Sequence, residues 1–225
     1  MLGVIHLLFT AGHTAPSGAE LMRTDLVDQS LRLTRMLREL MPDEREVRGL
    51  LALLLVTDAR RATRVDADGR LLRLEDQDRS RWDRSAMAEA HDLIMDGLHG
   101  GRPGRYVLQA AIASLHAEAP SYDRTNWPQI VILYDELLSV WPSPVVALNR
   151  TVAVSMVSGP ARALEEVAEL EKTADSLHTS TYRRSRRTSW IGWAARRRPR
   201  SPAFRHWSWP ETTPSAPSWP NASPL

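Results

Sequence analysis

The stretch that decides the fold is Leu137-Leu-Ser-Val-Trp-Pro142, Ser143, Pro144-Val-Val-Ala-Leu-Asn-Arg-Thr-Val-Ala-Val154, then Ser158-Gly-Pro160 and Ala161-Arg-Ala-Leu-Glu-Glu-Val167. Pro142 and Pro144 close one helical pattern and open the next, because proline lacks the N–H a helix interior needs but suits a first turn. Gly159-Pro160 repeats that punctuation. Three apolar-periodic segments separated by such short connections must fold back on one another as antiparallel neighbours.

The pattern extends towards the N-terminus. Met1 to Phe9 reads as an apolar helical end stopped at Ala11-Gly12, and Leu26, Leu31, Leu33, Leu37 and Leu40 mark a helix over 21–40. Pro42-Asp43 with Glu46 three residues on predicts a capping box and a helix to about Arg60. Asp66-Ala-Asp-Gly69 is a turn signal, so 61–74 should form a small hairpin or ordered loop. Helical spacing resumes over 80–98, 105–119, 127–141, 144–157 and 160–171. Residues 1–175 are therefore expected to form an all-α array of antiparallel helix hairpins. The last three helices are tetratricopeptide-like, the second of a pair ending in proline as in that ~34-residue repeat; a generic helical hairpin is the alternative.

Residues 176–225 differ in kind. Nine arginines stand there against the single acid Glu211, so the formal net charge of +2 averages an acidic body and a basic tail. The tail holds five of the eight tryptophans and seven of the fifteen prolines, with Leu177, Ile191 and Leu225 its only large aliphatics, a composition that predicts disorder. Lys172 is the sole lysine among 29 basic residues, which points to GC-rich coding. Back-translated with GC-rich codons and read one nucleotide out of frame, residues 182–200 give PPLPADLLDRLGRAEEAR, an amphipathic helical pattern. The tail is therefore expected to be a frameshifted continuation of the array. Its arginines and tryptophans would otherwise suit phosphates and unpaired bases.

Composition narrows the chemistry. With no cysteine, disulfides, thiolate zinc sites and a cysteine nucleophile are excluded. No apolar run approaches the ~20 residues of a membrane span, and the first residues lack the basic segment of a signal peptide, so a cytoplasmic protein without membrane contact is expected. There is no G-x-S-x-G, phosphate loop or dinucleotide glycine pattern, and Pro103 spoils Gly100 to Gly104 as an anion cradle. His91 and His99 share a helical face without a ligand between them, and His116 and Glu118 point to different faces. The expectation is no enzyme, no metal and no cofactor. Leu74 to Asp83, the densest polar run, reads as a helix entry with Asp78 or Ser80 capping and Arg79 or Arg81 pairing with nearby acids. Even so, its Gln, Arg and Trp would suit the mouth of a ligand or peptide groove.

The body resembles a known family through five strings: Leu7-Leu-Phe-Thr-Ala-Gly12, Leu51-Ala-Leu-Leu-Leu-Val-Thr-Asp-Ala-Arg-Arg61, Leu74-Glu-Asp-Gln-Asp-Arg-Ser-Arg-Trp-Asp-Arg84, Leu108-Gln-Ala-Ala-Ile-Ala-Ser-Leu-His-Ala-Glu-Ala-Pro120 and Pro144 to Val154. These are similar to the C-terminal, tetratricopeptide-like extension of one group of extracytoplasmic-function sigma factors of the sigma-70 family. The resemblance covers about residues 4–172. It lacks the two helical regions with which that family binds core RNA polymerase and promoter DNA, so the chain reads as a fragment. What the resemblance implies is a regulatory or scaffolding extension acting in transcription initiation, with polymerase core and the sigma DNA-binding regions as partners in the full-length protein. An unidentified regulatory protein or peptide would be a further partner. Gln77, Asp78, Arg79, Trp82, Gln109, His116, Asn149 and Arg150 lie in the matching strings and are the expected interdomain or ligand contacts. A stand-alone helical adaptor, or a helical metal-binding enzyme using His116 and the Gln77 to Trp82 run, is the alternative. An array missing its end helices should also expose core faces and associate.

Overall fold

The computed structural model describes residues 1–13, 23–66, 70–99 and 101–180, with side chains as far as residue 172. Among the described residues eight α-helices follow in order: α1 Leu2–His13, α2 Thr24–Leu40, α3 Arg45–Asp58, α4 Arg84–Leu98, α5 Arg105–Glu118, α6 Trp127–Val140, α7 Pro144–Ser158 and α8 Pro160–Ser180. The fold is an all-α array of antiparallel hairpins. Helices α3, α4 and α5 form its centre, and α6, α7 and α8 extend it by successive neighbour packing. Among the described residues the only β pairing is one isolated antiparallel bridge, Val65 to Leu71. It lies between the turns Arg61–Thr63 and Leu74–Asp76, in the segment expected to be a small hairpin or ordered loop, while residues 67–69 of the expected turn lie outside the described residues. The tail expected to be disordered lies outside the described residues beyond Ser180, and α8 runs through the expected boundary at 175.

The core is built from the apolar runs that set the helical spacing. Leu51, Ala52 and Leu55 of α3 meet Ala90, Leu93 and Ile94 of α4, Leu108, Ala111 and Ile112 of α5, and Ile130, Leu133 and Leu137 of α6. A smaller cluster joins Ile5 and Phe9 of α1 to Val27, Leu50, Leu54 and Tyr106. Helices α3 and α5 pack tightly at Gly49, where a Cβ would collide with the backbone nitrogen and Cγ2 of Val107. A glycine inside a helix costs about 1 kcal/mol against alanine, so the α3–α5 contact, not propensity, accounts for it.

Two sequence expectations are corrected at helix ends. Helix α1 does not stop at Ala11-Gly12: Gly12 is buried within it, where α2 leaves no room for a Cβ beside Arg23 and Leu26. The expected capping box at Asp43 is not formed either. Glu44 caps α3 through the N–H of Glu46, while the Glu46 carboxylate accepts the N–H groups of Tyr106 (3.0 Å) and Val107 (3.3 Å) at the start of α5. Gly104, the N-cap of α5, has no side chain to do this. A residue expected to close its own helix thus caps another one, 60 positions on.

Helix α7 leaves an apolar stripe open to solvent, with Val145, Leu148 and Val152 each more than half exposed. On its other side Arg150 donates from Nε to Asp135 of α6 (2.6 Å) and from Nη1 to Glu166 of α8 (2.7 Å). One guanidinium therefore ties three consecutive helices together.

Candidate functional cleft

Six segments line a cleft of about 440 Å3. Helix α3 contributes Leu53, Val56, Thr57 and Arg60, and Leu74 follows from the ordered loop. Helix α5 presents Gln109, Ile112, Ala113 and His116, spaced as one helical face. Tyr134, Leu137 and Trp141 recur on one face of α6 and its end. Val145, Val146 and Asn149 from α7 complete the wall, with His6 of α1 at the edge. Most of the surface is apolar, and no lining residue is acidic.

The polar members have distinct states. Gln109 Nε2 donates to the Arg105 carbonyl (3.1 Å), one turn back on its own helix. His116 stands edge-on to Trp127 with ring centroids 5.1 Å apart, and its Nδ1 is enclosed without a hydrogen-bond partner. Burial first, then Arg60 and Arg79, holds the imidazole pKa down to about 4, so the ring is neutral near pH 7. Burial also lowers His6, assisted by Arg105, and raises Tyr134. Arg60 is pulled down to about 10 by burial and by the cations Arg64 and Arg79, and still carries its charge at neutral pH.

The eight expected contact residues divide between the cleft and its framework. Gln109, His116 and Asn149 line the cleft. Gln77, Arg79 and Trp82 build the joint between the ordered loop, α4 and α5. The Trp82 indole N–H donates to Thr63 Oγ1 (2.9 Å), both residues being buried. Gln77 Nε2 donates to the Leu72 carbonyl (3.1 Å). Arg79 lies over the Trp82 ring at 4.7 Å and donates from Nη1 to the carbonyls of His116 (2.7 Å) and Ala119 (2.8 Å). It therefore caps the carbonyl end of α5, and of the two arginines expected beside an acid it is Arg81 whose charge acts on the Asp78 carboxylate. Asp78 holds Ser80 through its N–H (3.0 Å) and hydroxyl (2.6 Å), while α4 itself is capped by Asp83 through Ser85 and Ala86. Arg150 sits in the three-helix ion pair.

Arg60, Thr57, Tyr134 and Trp141 escape the sequence reading as cleft residues. Arg60 reads as a helix end and Trp141 as a helix stop; the spacing of Tyr134, Leu137 and Trp141 is the available signal. Among the described residues no three His, Asp or Glu side chains gather where they could hold a metal ion. Glu118 instead meets His91 of α4 across the α4–α5 contact at 3.0 Å, and that hydrogen bond raises the His91 pKa against the opposing effect of burial. No described helix is long and apolar enough to cross a membrane.

The molecule is thus a helical array carrying a cleft with a cationic corner. Residues 1–97 match a family described only as a family of unknown function (DUF6596). An uncharacterized protein of Rhizobium meliloti (strain 1021) is 46% identical over 167 residues, 74% of this chain and 40% of that relative. The chain accordingly spans well under half the length of the relative it matches. No solved structure matches the chain significantly.

Proposed function

We propose that these residues serve as the C-terminal regulatory or scaffolding part of an alternative RNA polymerase sigma factor, acting in transcription initiation by protein contact and not by catalysis. One observation carries the reading. Four of the five strings that resemble the sigma-factor extension converge in three dimensions on the cleft, supplying all of its lining except His6, Tyr134, Leu137 and Trp141. The strings are far apart in sequence, so their meeting around one concavity supports it as the working part of the array. The partners under this reading are the polymerase core and the sigma-type DNA-binding regions, in the cytoplasm. The chain itself contacts no promoter element.

The test is to resequence the gene together with ~700 nucleotides upstream, room for domains of ~100–200 residues. Coding sequence for sigma-type helical regions, with a one-nucleotide slip near codon 180, is the expected result. An upstream region that encodes none would overturn the reading. So would a promoter-specific footprint by the 225-residue chain alone at physiological salt.

A further inference from the structure

Arg60 closes α3 with its guanidinium in the wall of the cleft and no counter-charge beside it. Its sequence neighbour Arg61 holds Asp58 and Asp28, both at 2.7 Å. Among the described residues Arg60 makes no ion pair and no side-chain hydrogen bond, although it is partly buried. The nearest charges are of the same sign. Arg64 donates to the His13 carbonyl (3.0 Å), and Arg79 donates from Nη1 to the end of α5 while its Nη2 is enclosed without a partner. A half-buried cation normally has a carboxylate against it, because its lost hydration must be replaced. Here the cleft supplies none, and its neutral His116 has an unpartnered ring nitrogen.

Around this cation the walls are apolar and aromatic. Tyr134, Leu137 and Trp141 make a continuous surface leading towards the exposed Val145 and Asn149 of α7. A volume of about 440 Å3 lies within the ~300–1,000 Å3 of small-molecule sites. A bare inorganic anion would match Arg60 and leave the aromatic wall wet.

We propose that the cleft binds a small organic carboxylate, its carboxylate paired with Arg60 and its apolar arm laid along Tyr134, Leu137 and Trp141. Thr57, Gln109 and Asn149, with the neutral His116, are polar side chains of the lining that can select among such arms. The proposal takes the same cleft as the sigma-factor reading but rests on the cleft's charge and shape, so an upstream region that encodes no sigma-type helices would leave it standing.

Isothermal titration calorimetry of the full 225-residue chain tests it with 3-phenylpropionate, its neutral analogue 3-phenylpropanamide, and inorganic phosphate. The acid should bind with a Kd under ~1 mM, and the amide at least about tenfold more weakly, the value of one charge-assisted hydrogen-bonded pair. Phosphate should bind more weakly than the acid. In Arg60→Gln the acid and the amide should bind alike, and Val145→Trp, at the rim, should weaken both. Equal binding of acid and amide by the unaltered chain, phosphate binding as tightly as the acid, or no binding of the acid would each overturn the proposal. That comparison needs no variant, so it decides the matter even where Arg60→Gln fails to fold. If the variant folds, as its thermal melt shows, and keeps the preference for the acid, Arg60 is not the anchor and the proposal fails.

Discussion

Replacing Glu46 with alanine should destabilise a helix that Glu46 is not part of. Its carboxylate accepts two N–H groups at the start of α5, Tyr106 at 3.0 Å and Val107 at 3.3 Å. The first is a full charge-assisted bond, and the second lies just beyond the ordinary range. Losing an N-terminal cap costs about 0.5–2 kcal/mol, and a hydrogen bond to a charged group about 1.5–3 kcal/mol. Because Gly104 offers no substitute and the α3–α5 contact leaves little room for water, the upper part of the capping range applies, about 2 kcal/mol. Glu46→Gln keeps one carbonyl acceptor but loses the charge at the positive end of the α5 dipole, so it should cost about 1 kcal/mol. With a urea slope of about 2 kcal/mol/M, the unfolding midpoint should fall by about 1 M in the alanine variant and half that in the glutamine variant. Circular dichroism during urea titration measures both. A midpoint for Glu46→Ala within ~0.2 M of the parent at unchanged slope would refute the idea that α3 caps α5.

Arg150→Met should cost about 2 kcal/mol, between an exposed and a fully buried pair, and hydrogen exchange should quicken selectively in α7 and α8; uniform exchange through the array would argue against the three-helix tie. Gly49→Ala should lower the melting temperature although alanine is the better helix former, because overpacking against Val107 costs about 1–3 kcal/mol and exceeds the ~1 kcal/mol propensity gain; a stabilised variant would mean the helices can part freely. His116 is held neutral with its pKa near 4 in the folded protein, against ~6.5 unfolded. Below pH 6.5 the unfolded chain therefore takes up the proton first, and stability should fall as pH drops towards 4. His13, depressed to about 3 by burial and by Arg64, Arg60 and Arg61, acts in the same direction, while His91, raised by Glu118, opposes it. Urea midpoints at pH 7 and 5 should differ less in His116→Gln than in the parent, and an equal difference would mean that His116 is protonated in the folded state.

The helices are legible because their signals are local. Apolar spacing, Pro144 and Pro160 at first turns, and Gly159 with a φ of +84° between α7 and α8 all act within one or two turns. Helix ends fare worse where a tertiary partner overrides the local rule. Glu46 has the spacing of a capping box, but the nearby start of α5 offers two unsatisfied donors. Gly12 looks like a stop because nothing in sequence shows that α2 crosses there. The candidate site is half legible for the same reason. Gln109, His116 and Asn149 lie on faces that meet, whereas Gln77, Arg79 and Trp82 stand out for their polarity yet serve to join the loop to α5. Arg60 does not stand out, because an arginine at a helix end has a routine role with the helix dipole. Its lack of a partner exists only in three dimensions.

Because α7 and α8 extend the array one neighbour at a time, the order in which the molecule opens is set by its topology. Opening from this end must detach α8 and then α7 before it reaches the central packing of α3, α4 and α5. The departure of α7 would carry away Val145, Val146 and Asn149, leaving the α3, α5 and α6 walls in place as an open trough. Access to the cleft is thereby coupled to the stability of the α7–α8 hairpin, with Arg150 as its clasp. Anything that fills the cleft favours the closed hairpin by mass action, and anything that draws α8 away would empty it.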